Sequence, residues 1–328
     1  MANLATKYLG LDLKNPIVVG SSELTNSVDK IKEIAEAGAG AVVLKSLFEE
    51  QILMDIDSER LNNMNDSYGH IENHLGYYLK THSVNKYLKL IKEAKAAVEI
   101  PVIASINCYD DNEWIDFAKH VQDAGADALE VNLFAMPADM SISGADMEKS
   151  YLDIIKKLLI TVDIPVAIKL SSYFSGLANF MKELSDMGVH GLVLFNKFYS
   201  PKVDIDKEAI VSATTRSTAF DNANTLRWIG ILSGSVECDL SASTGVHTSE
   251  DLIGNILVGA TTTQMVSTVM INGTTQISKM LKDLEAWMTK KNYDSVDAFR
   301  GKLNQKNVSN PMMLERSQFM KYFSDGAY

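Results

Sequence analysis

The chain predicts a single α/β protein of the (β/α)8 class, a TIM barrel in which eight parallel strands alternate with helices. Two sets of repeats and one property of the strands carry that reading. Four segments share one plan, in which a helix end is followed by glycine, a small residue, an apolar strand and a polar residue: EAGAGAVVLK (36–45), DAGADALEVN (123–132), DMGVHGLVLFN (186–196) and ILVGATTTQMV (256–266). EIPVIAS (99–105) and DIPVAIK (163–169) make a second matching pair. The strand candidates are short continuous apolar runs flanked by helical patterns, as strands buried on both faces of a parallel sheet require. At 328 residues and 46% hydrophobic content, the chain has the core and length for a barrel of ~250 residues plus insertions. A doubly wound open sheet competes, but no Gly-rich turn follows the first strand as a dinucleotide fold needs.

The elements follow in order. Residues 7–14 (KYLGLDLK) read as a small hairpin turning near Gly10. Asn15 and Pro16 lead into a buried strand, 17–19, that ends at Gly20-Ser21-Ser22. Residues 27–38 carry apolar positions at helical spacing and close on Gly38, a good C-terminal cap. The second strand, 40–44, ends at Lys45-Ser46. Residues 47–83 break the rhythm, rich in Asn, Asp, Tyr, His and Gly; an insertion at a strand end would cover the barrel mouth as a lid. Helix 84–98 and strand 100–106 follow, with Asn107 and Cys108 at the strand end. Helix 112–124, strand 128–132, helix 146–161 and strand 164–169 complete the next two units. Helix 175–187 and strand 191–195 lead to Asn196-Lys197 and a polar excursion, 198–221. Helix 222–231, strand 236–242, helix 249–257, strand 262–266 and helix 274–290 close the ring, followed by a short helical piece. The barrel is expected over 1–303 as one domain, with a polar tail over 304–328.

Composition narrows the function. A formal charge of −11 argues against a broad nucleic-acid or anionic-membrane surface, though not against a local anion pocket made of backbone N–H groups. Cys108 and Cys238 are the only cysteines, so neither a zinc ligand set nor a disulfide framework is expected. Reduced thiols in a cytoplasmic protein are the simplest account. No charged-then-apolar leader opens the chain, and no apolar run reaches the ~18 residues of a membrane span.

In a parallel α/β barrel, ligands bind at the C-terminal strand ends. Those ends carry Ser21, Lys45, Asn107, Asn132, Lys169, Asn196, Ser243 and Ser267. Lys169 stands out, because a charge closing a buried strand needs a partner or a task; the plainer reading is a lysine that snorkels to solvent. Two lysines and three asparagines at one mouth suit a ligand rich in carbonyl oxygens and ring nitrogens, although a lone strand-end Asn is commonly a turn former. The turns after strands seven and eight, the customary phosphate site of such barrels, read Ser241-Ala242-Ser243-Thr244-Gly245 and Val266-Ser267-Thr268. Small and hydroxyl residues there let backbone amides close on an anion; either turn alone is ordinary loop chemistry.

With EVNLFAMP (130–137), AIKLSSYF (167–174), VLKS (43–46), the NPI segment at Asn15 and ILVGATTTQM (256–265) in this order, the chain resembles the dihydroorotate dehydrogenase family of FMN-binding barrels, from the hairpin to about residue 303. The resemblance implies FMN as cofactor, a dihydroorotate-like small-molecule substrate and the oxidation of dihydroorotate to orotate in pyrimidine (UMP) biosynthesis. It also implies a homodimer, with no nucleic-acid or membrane partner and no metal. Lys169 would lie against the N1/C2-carbonyl side of the flavin, and Lys45 would approach flavin and substrate. Ser21 and Ser46 would lie near the ring, with Asn107, Asn132 and Asn196 among the flavin or substrate contacts. The phosphate would sit on the amides of Ser243, Thr244 and Gly245 and of Ser267 and Thr268.

Three departures accompany the match. Where the family carries a Cys or Ser base, this chain has Ala135, which cannot accept a proton. The family's substrate loop has no clean equivalent between 62 and 76, and in the phosphate turns a Gly-Thr-Gly-Gly pattern becomes Ala242-Ser243-Thr244-Gly245 and a Gly-Thr pair becomes Ser267-Thr268. Ser141, Ser143, Cys108, His70 and His74 are the residues within the loops that could replace the base; a buried thiol and solvated loop histidines are their plain readings. Two alternatives remain: a flavoprotein of other or no activity, and a Schiff-base barrel enzyme that uses Lys169 as its amine.

Overall fold

The hairpin comes first in the chain and lies as the floor of the barrel. In a computed structural model, which describes residues 2–47, 71–107, 113–133, 136 and 138–316, strands β1 (Thr6–Tyr8) and β2 (Leu11–Leu13) pair antiparallel with Thr6 opposite Leu13. Leu9 and Gly10 between them both take positive φ, 54° and 76°, the geometry of a two-residue hairpin turn whose twist suits the strands. Tyr8, Leu9 and Leu13 are buried against Val18, Ala41, Val43, Ile103, Ala128, Ala167 and Val193, so the hairpin plugs one end of the barrel.

Eight strands close the barrel: β3 (Ile17–Val19), β4 (Ala41–Val43), β5 (Val102–Asn107), β6 (Ala128–Leu133), β7 (Val166–Leu170), β8 (Gly191–Leu194), β11 (Asp239–Ser243) and β12 (Thr262–Met265). Every neighbouring pair is parallel, and the order around the ring is the chain order. Outside lie α1 (Val28–Glu36), α2 (Ile71–Ala97), α3 (Glu113–Asp123), α4 (Gly144–Thr161), α5 (Leu177–Asp186), α6 (Asn222–Leu232), α7 (Ser249–Val258), α8 (Ser267–Asn272) and α9 (Thr275–Lys291). Strand period two then sorts each side chain. On β6, Leu129, Val131 and Leu133 join the large core shared with the helices, whereas Ala128 packs inside the barrel; Glu130 and Asn132 therefore share the inner face. By the same parity Lys169, Ser105, Ser243 and Gln264 point inward.

The barrel and the hairpin are as the sequence predicts; the differences lie at its edges. Helix α2 starts at Ile71 rather than near 84, because its first half lacks the regular apolar stripe that marks a helix in sequence. The excursion at 198–221 contains an antiparallel pair, β9 (Pro201–Asp204) and β10 (Ala209–Ser212). Strand β11 begins at Asp239 rather than 236, since the amides of Glu237 and Cys238 are taken by the Ser185 hydroxyl (2.9 and 3.3 Å) instead of a ladder. The turn expected at Ser267-Thr268 is the start of the short helix α8. After α9, Gln305 donates its amide to the Gly230 carbonyl at 2.8 Å, tying residues beyond 303 to α6; the short helix α10 (Met312–Glu315) follows. Most of the insertion expected at 47–83, with His70, and also Cys108 and Ala135, lie outside the described residues, as does the side chain of His74.

Candidate active site at the barrel mouth

Hydroxyl and amide groups from successive strands knit one half of the mouth together. The Ser21 hydroxyl accepts from the Ser46 amide at 2.8 Å and lies 3.0 Å from the Ser46 hydroxyl. Ser46 in turn meets the Ser105 hydroxyl at 2.6 Å. Asn132 donates its side-chain amide toward Ser46 and Ser105 (3.1 and 3.0 Å), and Asn196 donates to the Asn132 carbonyl oxygen at 3.2 Å. The Ser105 backbone is itself held at both ends by the buried Tyr87 hydroxyl, whose pKa burial drives upward. Beside this network Lys45 is half-exposed and pairs with Glu23. The hydrogen bond from Lys45 holds the Glu23 carboxyl below the usual carboxylate range.

The opposite half is built around Lys169, which does not snorkel. It is only 7% exposed and its ammonium donates to the Gln264 carbonyl oxygen at 2.8 Å, with Glu130 Oε1 3.4 Å away. Gln264 donates its own amide to Glu130 Oε2 at 2.5 Å. An ammonium has three donors, and only one of them is taken by a hydrogen bond here, which leaves capacity for the space above. That space is a cavity of about 190 Å³, lined among others by Ser21, Lys169, Asn196, Ser243, Thr244, Gly245 and Ser267.

The cavity ends at the two turns expected to bind an anion. Thr244 adopts φ +75° and Gly245 φ +86°. Thr244 tolerates the left-handed conformation while its hydroxyl donates to the Phe195 carbonyl at 2.8 Å. At Gly245 no side chain fits, because a Cβ would stand 2.1 Å from the Asn222 nitrogen. Among the described residues, the backbone amides of Thr244, Gly245, Ser267 and Thr268 have no acceptor. Of these, Thr244, Gly245 and Ser267 line the cavity, and free backbone donors at adjoining strand ends could hold an anion such as a phosphate.

The structure brings seven of the expected residues onto one cavity. Lys45 and Ser46 line an adjoining space of about 470 Å³ between β4 and α2, and Asn132 reaches the site through Ser46 and Asn196. Asn107 sits at the end of β5 opposite Asn132 in register, outside both linings. Thr268 is buried, donates its hydroxyl to the His247 carbonyl at 3.1 Å and lies outside both linings. Sequence reasoning missed Glu130, Gln264, Lys197 and Ser217. Lys197, close after the end of β8, and Ser217, in the excursion that follows, line the cavity; Lys197 approaches the Asp221 carboxylate at 3.4 Å. Ser141 and Ser143 are exposed and turned to their own loop, bonding Asp139 and Asp146. Among the described residues no cluster of His, Cys, Asp or Glu could hold a metal ion, and no helix is long and apolar enough to cross a membrane.

An eight-stranded parallel barrel with a lysine and free backbone amides at its C-terminal mouth is the architecture of the ligand-binding (β/α)8 proteins. Comparison with known proteins narrows it. Residues 3–288 match the dihydroorotate dehydrogenase family, and the chain belongs to it, as a dihydroorotate dehydrogenase-like oxidoreductase of the kind that acts on CH–CH groups. Similar proteins include the catalytic subunit of dihydroorotate dehydrogenase B (NAD(+)) of Methanocaldococcus jannaschii, 25% identical over 299 residues covering 88% of this chain and 94% of the relative. The protein of the same name from Methanothermobacter thermautotrophicus is 25% identical over 315 residues, 91% and 97% of the two chains. The NAD-dependent dihydropyrimidine dehydrogenase subunit PreA of Escherichia coli is 22% identical over 332 residues, 96% of this chain and 80% of its own.

Proposed function

We propose that this chain binds FMN at the barrel mouth and oxidises dihydroorotate, or a closely related 5,6-dihydropyrimidine, at its CH–CH bond, as a step of pyrimidine metabolism. The observation that carries the reading is the 190 Å³ cavity with the Lys169 ammonium at one end and the cradle of free amides at the other. The donor set fits FMN: a cation suits the N1/C2-carbonyl edge of the flavin, and the four amides suit its phosphate. When bound, FMN supplies the hydride acceptor for the reaction.

The chain's own residues supply the rest. Lys169 is held as a fixed cation by Glu130 and Gln264. That favours an electrostatic role over the Schiff-base alternative, in which the amine must present a free electron pair. The Thr244, Gly245, Ser267 and Thr268 amides would hold the phosphate, while Ser21, Ser46, Asn132 and Asn196 orient the ring or the substrate. Lys45, paired with Glu23 beside the mouth, offers a charge to the substrate's carboxylate. Two hydrogens leave the substrate, one as hydride and one as a proton. With alanine at position 135 that proton must pass to another group or to water, so proton removal is the step on which this chain departs from its family. The homologues' names include subunits of larger enzymes, and a hetero-oligomer stands beside the homodimer as the assembly to test.

The test is a visible spectrum of the purified protein, repeated anaerobically with dihydroorotate and, separately, dihydrouracil. Flavin bands that bleach with dihydroorotate support the full reading. Bands that bleach with dihydrouracil alone move the substrate. Bands that persist with both leave a flavoprotein with another substrate, and absence of bands even after added FMN refutes the flavin reading.

A further inference from the structure

Beneath Lys169 lies a buried polar arrangement that cofactor binding alone does not require. Glu130 is 1% exposed and Gln264 2%, both well inside the barrel. Strands β6 and β12 stand four places apart either way round the ring, so Gln264 reaches across the barrel axis to Glu130. Its amide can face only one way there, since its nitrogen must donate to Glu130 and its oxygen must accept from Lys169. The end of β3 leaves room for it at Gly20, where a Cβ would come within 3.2 Å of Gln264 Oε1.

The arrangement holds the two charges close without a direct hydrogen bond. Lys169 Nζ lies 3.4 Å from Glu130 Oε1, and that oxygen finds no hydrogen-bond donor among the described residues. Glu130 spends its strong bond on the neutral amide instead. Two buried opposite charges would ordinarily close into a hydrogen-bonded pair, because desolvation makes an incomplete pair expensive. Here Gln264 bridges them, so the positive charge of Lys169 is countered only in part, and the lysine lines the cavity with donors to spare.

We propose that Glu130 and Gln264 are positioning residues that set how much positive charge Lys169 presents to the cavity, and thereby the reduction potential of FMN bound there. The proposal rests on the FMN reading above. Reduction adds negative charge to the ring; a nearby cation favours it, and a carboxylate behind that cation subtracts from the effect. The two charges therefore act in opposite directions on one observable. Removing Glu130's charge raises the flavin potential, and removing Lys169's lowers it. If Glu130 only supported packing, both substitutions would disturb flavin affinity or folding without opposite shifts in potential.

The experiment is a reductive titration, with a reference dye, of the FMN-loaded wild type, Glu130→Gln and Lys169→Met. For Glu130→Gln we expect the reduced-to-oxidised ratio at a fixed poise to rise roughly tenfold, about 30 mV for a two-electron couple, and a change of opposite sign for Lys169→Met. Should Glu130→Gln fail to fold, Glu130→Asp withdraws the carboxylate by one methylene and gives a smaller rise. In Gln264→Met the charges remain but lose their bridge, so Glu130 can close on Lys169 and the potential falls. A potential that stays put or falls in the Glu130 variants, with flavin bound, overturns this proposal alone. A wild type that takes up no flavin refutes the FMN reading, and this proposal with it.

Discussion

Replacing Gly245 by alanine is the sharpest test of the anion cradle. The residue sits at φ +86°, where a Cβ costs ~1–2 kcal/mol from backbone sterics alone. The added carbon would also stand 2.1 Å from the Asn222 nitrogen, 2.6 Å from its Cα and 2.7 Å from the Asp221 carbonyl carbon. All three are backbone atoms at the start of α6, where no side chain can swing aside, so forcing the turn outward adds ~1–3 kcal/mol of overpacking. Together these give a loss of about 2–5 kcal/mol, a large part of the ~5–15 kcal/mol that holds a typical protein folded. The displaced turn also carries the Thr244 and Gly245 amides. Losing one charge-assisted hydrogen bond of ~1.5–3 kcal/mol weakens FMN binding by roughly 10- to 100-fold. Urea denaturation and an FMN fluorescence titration measure the two effects. Gly254→Ala is the matched control: it lies within α7, its Cβ would meet only Leu226 Cδ1 at an ordinary 3.5 Å, and alanine there stabilises by ~0.5–1 kcal/mol. A Gly245→Ala protein with wild-type midpoint and flavin affinity would show that the turn is not built as described.

Other consequences can be checked independently. Lys169→Met lowers kcat by roughly 10²–10³-fold, the usual effect of deleting one electrostatic group from a site, as followed by stopped-flow bleaching of the flavin. Asn132→Ala leaves the Ser46 and Ser105 hydroxyls without their shared donor and costs ~1–3 kcal/mol in urea denaturation. Burial pushes the Cys238 thiol from 9.0 up to about 11; iodoacetamide at pH 8 should label it ~100-fold more slowly than an ordinary cysteine on thiolate fraction alone, with peptide mapping separating it from Cys108. Burial also raises the Asp239 carboxyl above its ordinary 3.8. The folded state then holds that proton more tightly than the unfolded chain, so this contribution to stability is complete below pH 3.8 and is lost as pH rises through the raised value. Melting curves across that range should show the decline in the wild type, and Asp239→Asn should flatten it.

Much of the barrel was legible because its signals are local. A glycine after a helix, a small residue and a short apolar run all fall within ten residues, and repetition of that unit gives the closed ring. Strand ends follow directly, which is why Lys169, Ser243 and Ser267 could be placed at the mouth without a structure. The antiparallel pair at β9 and β10 escaped because its residues are largely solvent-facing, so no buried pattern marks it. Ser217 escaped with it, since it belongs to the same excursion, whereas Lys197 was passed over beside Asn196 at the strand end.

Glu130 and Gln264 were missed for a different reason. Each lies inside an apolar strand, in EVNL and TTTQM, and parity alone says only that it faces inward or outward. Their contact spans 134 residues and exists only because the sheet closes, which places β12 opposite β6 and brings both beneath the lysine of β7. A buried glutamate in a parallel strand is costly unless it is paired, and that cost was visible in the sequence. The partner was not, because nothing local to residue 130 says which strand stands across the axis. The barrel mouth is thus written at the strand ends, while the support that fixes Lys169 is a property of closure. Substitutions that alter closure register, rather than the mouth residues, should for that reason change how Lys169 is held while leaving every strand-end motif intact.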